Sequence, residues 1–288
     1  MNYKIRKEDL QNDLLAETLQ ALFHCYNQLQ LPLYVVGASA RDIALRLLNV
    51  ANTPRRTLDL DVAVGLHDWE QYEELSQVLL QNHFTKAQEK QRFYYLGVDG
   101  KNKFEVDIVP FGTIAEKEQV AWPPEGSPVM SVRCFEDVMH YADDVQMEED
   151  YTFKIAPLSG QFLIKLDTWQ DRYLRTKKDA TDMVFILQNI YVAYALSHDA
   201  LPAEIDIDAE HFDVVVAGAE WIASDLKKIL SDEHKAYYAQ LLESELSKNE
   251  DSPLLNDMLD VSDTRNYSLF RRVMARIAQI LRQSRSNV

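Results

Sequence analysis

The chain has 288 residues, 47% hydrophobic and 26% charged, an ordinary globular composition with length for one large or two modest cores. A formal net charge of −16 excludes a protein that coats DNA or RNA through uniform positive charge. The two cysteines, Cys25 and Cys134, form no CxxC pair, and the apolar runs, such as 184–187, fall far short of the ~20 residues of a membrane span. No early stretch reads as a signal peptide, so a reducing, cytoplasmic setting without membrane contact is the expectation.

Residues 6–30 place Leu10, Leu14, Leu15, Leu22, Phe23 and Tyr26 at helical spacing. Leu33 to Val36 is a short β-rich run closing at Gly37, and Ser39 opens a helical stretch to about Asn49. Residues 50–57, with Pro54, read as a loop. Thr57 to Val64 then alternates polar and apolar residues like a half-buried strand, and a helix carrying Trp69, Tyr72, Leu75 and Leu79 follows. Arg92 to Val98 and Lys103 to Phe111 read as strands joined by a turn at Asp99-Gly100. From Ser159 onward Gly and Pro become rare, and apolar residues recur at helical spacing over 160–175, 178–196, 211–230, 234–248 and 267–283. The expected fold is α+β: a domain with a small mixed sheet over 1–152, then an α-helical bundle over 153–288.

Three elements of the first half carry chemistry. In Val35-Val36-Gly37-Ala38-Ser39 a strand ends in a glycine at the start of a helix, exposing backbone N–H groups and the positive end of a dipole. Ser39 either caps that helix or donates to a phosphate oxygen. In Asp59-Leu60-Asp61 the two carboxylates project to one side of a strand and Leu58, Leu60 and Val62 to the other. Paired carboxylates are either a solvated strand face or ligands of Mg²⁺, which takes one or two of them together with phosphate oxygens and water. In Phe104-Glu105-Val106-Asp107-Ile108, both Glu105 and Asp107 lie opposite the apolar set. If this strand lies beside 57–64, Asp107 is the preferred third carboxylate, with Glu105 as its competitor; such a cluster can hold two cations.

The order of these elements resembles the nucleotidyltransferase superfamily related to polymerase β, over roughly residues 33–112. The serine stands one place later than in the commonest form, and the gap from Ser39 to Asp59 is longer. A second set of residues, Lys165 and Asp167, then Arg172, then Lys177-Lys178-Asp179-Ala180-Thr181-Asp182, is similar to the AbiEii/AbiGii-type toxin family, as is Gly-x-x-Ala-Arg-Asp at 37–42. The resemblance implies an NTP-dependent enzyme that moves a nucleoside monophosphate to a hydroxyl of tRNA or protein, restrained by a separately encoded antitoxin. It implies Mg²⁺, two ions in all, on Asp59, Asp61 and Asp107, with Gly37, Ser39, Arg41, Lys165 and Asp182 at the nucleotide. On the residues alone, Lys165 and Arg172 equally fit the polar face of an amphipathic helix.

A small-molecule enzyme of the aminoglycoside-modifying kind is the alternative that the acidity favours, and a non-catalytic nucleotide-binding protein of the same fold is another. The sequence contains neither a P-loop nor a GxGxxG fingerprint. Phe93, Tyr94, Tyr95 and Trp122 serve either base stacking or the core. No acid follows Asp263, whereas Arg265, Arg271, Arg272, Arg276, Arg282 and Arg285 do; they either track RNA or offset the acidic remainder.

Overall fold

The computed structural model describes residues 2–50, 59–98, 100–148 and 150–283. Most of the expected 50–57 loop, the Thr57-Leu58 start of the Asp59 strand, Asp99 of the expected turn and Arg285 lie outside the described residues. The chain divides into two compact units, Met1–Leu47 with Ala51–Pro157, and Leu48–Val50 with Leu158–Val288.

The first unit runs β1 (Asn2–Ile5), α1 (Asp13–Gln28), β2 (Tyr34–Val36), α2 (Gly37–Leu47), β3 (Asp59–Gly65) and α3 (Trp69–Gln81). It continues with β4 (Phe84–Lys86), β5 (Arg92–Leu96), β6 (Lys103–Phe111), β7 (Gln119–Ala121), β8 (Val129–Ser131), α4 (Phe135–His140), β9 (Asp143–Met147) and β10 (Tyr151–Ile155). The helix expected over 6–30 is interrupted: Lys7–Leu10 is a 3-10 turn, Gln11 takes φ +53°, and Asn12 starts α1 by accepting from the Leu15 N–H at 3.2 Å. Asp68 caps α3 in the same way, accepting from the Gln71 N–H at 2.9 Å.

Among the described residues, eight strands form one mixed sheet in the order β1-β9-β10-β2-β3-β6-β5-β4, and β7 pairs with β8. The sheet is larger than the small one expected from sequence. The added strands are short or carry polar residues at many positions, so alternation marks them weakly. β10 pairs antiparallel with β9 and parallel with β2, so the first unit continues through it; a division at 152/153 would cut that strand. β5 ends at Leu96, before the expected Val98, where Gly97 begins the turn: the Gly97 N–H donates to the Asn102 carbonyl and the Gly100 N–H to the Gly97 carbonyl.

One side of the sheet is core. Val35, Leu60, Val62, Phe93, Val106 and Ile108 are fully buried there, with Phe104, Phe153 and Ile155 nearly so. α1 packs on β6, β10 and α3, bringing in Leu19, Leu22 and Tyr26. Covering this side fixes the parity of every strand and commits the alternate residues of β3, β5 and β6 to the opposite side.

The second unit is helical: α5 (Leu158–Arg172), α6 (Lys178–Ala195), α7 (Val214–Ile229), α8 (Asp232–Ser247), α9 (Pro253–Val261) and α10 (Tyr267–Arg282). The sequence pattern anticipates five of these; nine-residue α9 is too short to show a period. α10 buries Phe270, Val273, Ile277 and Ile280 against α7 and α8. Its Arg272, Arg276 and Arg282 pair with Asp213, Glu220 and Glu243 at 3.3, 2.6 and 2.7 Å, so these three offset acids of their own unit. Among the described residues no helix is long and apolar enough to cross a membrane.

Ala217-Gly218-Ala219 brings α7 close to α6, and a Cβ on Gly218 would stand 2.4 Å from the Leu187 carbonyl oxygen. Helix propensity alone favours alanine over glycine by about 1 kcal/mol. A backbone oxygen cannot swing aside, however, and overpacking of this kind costs roughly 1–3 kcal/mol. Gly218→Ala is therefore expected to lower the urea midpoint; an unchanged or raised midpoint would show that the helices separate freely.

Candidate active site

The geometry of the site begins with strand register. β3 and β6 are parallel, with Asp59 beside Glu105 and Asp61 beside Asp107. β5 runs antiparallel along β6, placing Arg92 beside Asp107 and Tyr94 beside Glu105. Register partners point to the same side of a sheet, so Asp59, Asp61, Glu105, Asp107, Arg92 and Tyr94 share the side opposite the core. All six are half-buried. β3 and β6 thus place Asp59, Asp61, Glu105 and Asp107 on one face of the sheet.

Gly37 follows directly from β2 at φ +69°, a conformation that glycine adopts without strain. A Cβ at this position would stand 2.1 Å from Asp61 Oδ2, so the absence of a side chain lets the carboxylate lie against the first turn of α2. The positive end of the helix dipole favours a negative group at this point. Ser39 is buried, and its hydroxyl donates to the Asp59 backbone carbonyl at 2.9 Å, tying α2 to the start of β3. Of the two uses expected for Ser39, capping and phosphate donation, neither is the bond it makes here. Arg41 is also buried, and its Nε and Nη2 donate to Asp42 Oδ1 at 2.9 and 2.8 Å.

Arg92 is the residue that sequence reasoning missed. Its Nε and Nη2 donate to Asp107 Oδ1 and Oδ2, both at 2.8 Å, and Nη2 also lies 2.8 Å from Glu105 Oε1. The hydrogen bond to Asp107 raises the guanidinium pKa above its ordinary value, against the effect of burial. Burial pushes the Glu105 carboxyl up, and the charges of Asp107 and Asp59 add to the rise while Arg92 opposes it. The signal was present in the sequence: pairing outward from a turn at Asp99-Gly100 sets position 92 opposite position 107.

A magnesium ion fits this face only in part. Asp59 and Asp61 suit the one- or two-carboxylate mode in which phosphates and water complete the shell. Asp107, expected as a third ligand, has both oxygens engaged by Arg92. Among the described residues no three His, Cys, Asp or Glu side chains gather as a metal cluster.

In the helical unit, Lys165 of α5 pairs with Asp182 of α6 at 2.8 Å and lies 3.7 Å from Asp179. Asp179 is fully buried and accepts Arg172 through both oxygens at 2.7 Å. The lysine and acids singled out in the sequence thus form one charge network within that unit. Of the four aromatics, Phe93, Tyr95 and Trp122 are core, and Tyr94 alone lies on the carboxylate face, with Lys103 5.8 Å from its ring centroid.

No protein-family model matches the sequence, and no curated protein matches it. Gly37→Ala introduces both an unfavourable φ and the contact with Asp61, with an expected loss of about 1–3 kcal/mol. A denaturation midpoint equal to that of the parent protein would contradict the close packing of Asp61 on α2.

Proposed function

We propose that the chain is a metal-dependent nucleotidyltransferase of the superfamily related to polymerase β, nearest to the AbiEii/AbiGii-type toxins. It would carry that fold in the first unit and the associated helical domain in the second. The observation that carries the reading is the register of β3 and β6, with Asp61 beside Asp107 and Asp59 one pleat away on the half-buried face. The order strand, glycine turn, helix, Asp-x-Asp strand and third acidic strand supports it further.

In this reading Asp59 and Asp61 would hold Mg²⁺, which on binding neutralises the triphosphate and lowers the pKa of an attacking hydroxyl. The chain's own residues position the reactants. The α2 N-terminus at Gly37 offers backbone N–H groups and a positive dipole to the phosphates. Ser39 anchors Asp59 by its backbone, while Arg41 is buried on α2 in a pair with Asp42. Tyr94 offers a ring on the same face for the base. By the family resemblance Lys165 would bind phosphate and Asp182 support it; within the second unit the two pair at 2.8 Å.

The reaction is transfer of a nucleoside monophosphate from NTP to a hydroxyl, with release of pyrophosphate. The acceptor is a tRNA end or a protein hydroxyl, and a separately encoded antitoxin would restrain the activity. A small-molecule acceptor of the aminoglycoside kind is the second reading, favoured by the net charge of −16, which attracts polycations.

Incubation with each α-labelled NTP, Mg²⁺ and either total tRNA, a protein extract or an aminoglycoside separates these acceptors. Label is expected on tRNA or protein. Asp61→Asn should reduce transfer at least by the roughly 10–100-fold that loss of an outer-shell metal partner costs. Label confined to the aminoglycoside would favour the second reading. An Asp61→Asn enzyme as active as the parent would overturn the assignment of the site.

A further inference from the structure

Arg92 holds Asp107 by a two-pronged guanidinium-carboxylate contact, both prongs at 2.8 Å, with Glu105 as a further acceptor at 2.8 Å. Backbone register enforces this contact. The β5–β6 ladder sets Arg92 directly opposite Asp107, and the buried parity of Phe93 and Val106 keeps both side chains on the carboxylate face. Their side chains are 24% and 19% exposed, so the pair is screened less than one on the open surface.

A divalent cation on Asp107 would need the same oxygens. Magnesium binds carboxylate oxygen at about 2.0–2.1 Å and demands near-octahedral geometry. A guanidinium fork covering both oxygens opposes this by position and by charge. A guanidinium withdrawn from a carboxylate has the donor geometry for a phosphate, and Glu105 gives it a second acceptor from which to pivot.

We propose that Arg92 is a positioning residue that competes with a divalent cation for Asp107, so that the third carboxylate enters the metal site only by exchange of ion pairs. A cation held by Asp107 would displace the guanidinium, which would then be placed to pair with a phosphate. Each charge finds a new partner, and a cation without nucleotide meets an Asp107 already taken. The inference rests on the nucleotidyltransferase reading of this face.

Mn²⁺ affinity, measured by electron paramagnetic resonance without nucleotide, reads the competition directly and independently of turnover. Arg92→Gln is expected to tighten Mn²⁺ binding roughly tenfold, the effect of one charge-assisted hydrogen-bonded contact. In an Asp107→Asn background the same substitution should have no such effect, since the contested oxygens are altered. Equal tightening in both backgrounds would mean that Arg92 acts only as a distant positive charge, and would overturn the proposal. So would unchanged affinity in Arg92→Gln when the parent protein binds Mn²⁺ and Asp61→Asn does not; the metal reading would survive that result. Absence of Mn²⁺ binding by parent and variant alike, at millimolar metal, would overturn both. Thermal melts establish that each variant folds. If Arg92→Gln does not, Arg92→Lys removes the fork while retaining the charge, and tightening there, lost with Asp107→Asn, is the supporting result.

Discussion

Asp61 and Asp107 stand side by side on parallel strands, at the roughly 4.8 Å spacing that backbone pairing imposes. Apolar burial beneath the sheet fixes the face on which both stand, and the carboxylates cannot relax the spacing by moving their strands. Other features of the face answer to this constraint. Gly37 gives up a side chain so that Asp61 can lie against the start of α2. Arg92 reaches across from β5 to neutralise Asp107. Ser39 ties the Asp59 end of β3 to α2, and so holds the strand that bears both acids.

A different arrangement serves the helical unit. Asp179 is fully buried and is met by the Arg172 fork and, at 3.7 Å, by Lys165, which also pairs with Asp182. Two acids and two bases close a network in which the buried carboxylate is fully compensated. Removing one partner from such a pair is far more costly than never having placed it there. On the sheet, Arg92 draws together two carboxylates of β6 while Asp59 and Asp61 line the neighbouring strand. Acids concentrated on a half-buried face are the arrangement that a cation and a polyanion can complete together.

Much of this was legible in the sequence because burial imposes periodicity. The alternation in 59–64 and 103–111 gives the correct parity for Asp59, Asp61, Glu105 and Asp107, since the opposite residues are core. Five helices of the second half show their period for the same reason. β1, β4 and β9 are too short or too polar to show a pattern. β10 alternates clearly, with Tyr151, Phe153 and Ile155 buried, but it falls where the change of composition suggested a boundary. The Ser39 bond to a backbone carbonyl and the burial of Arg41 with Asp42 depend on tertiary placement, which residue type does not encode. Arg92 was recoverable from the hairpin register, yet a single arginine at the head of a strand draws no notice until its cross-strand partner is known.

In the proposed function, the face formed by β3 and β6 binds a divalent cation through Asp59 and Asp61. Replacing Mg²⁺ with Fe²⁺ in the presence of nucleotide, then adding ascorbate and peroxide, cuts the backbone beside the bound ion, and mass spectrometry locates the cuts. Cuts clustered around 37–39, 59–61 and 105–107, suppressed by excess Mg²⁺, are the predicted result. Site-specific cuts elsewhere in the chain, with none beside Asp59 and Asp61, would contradict it.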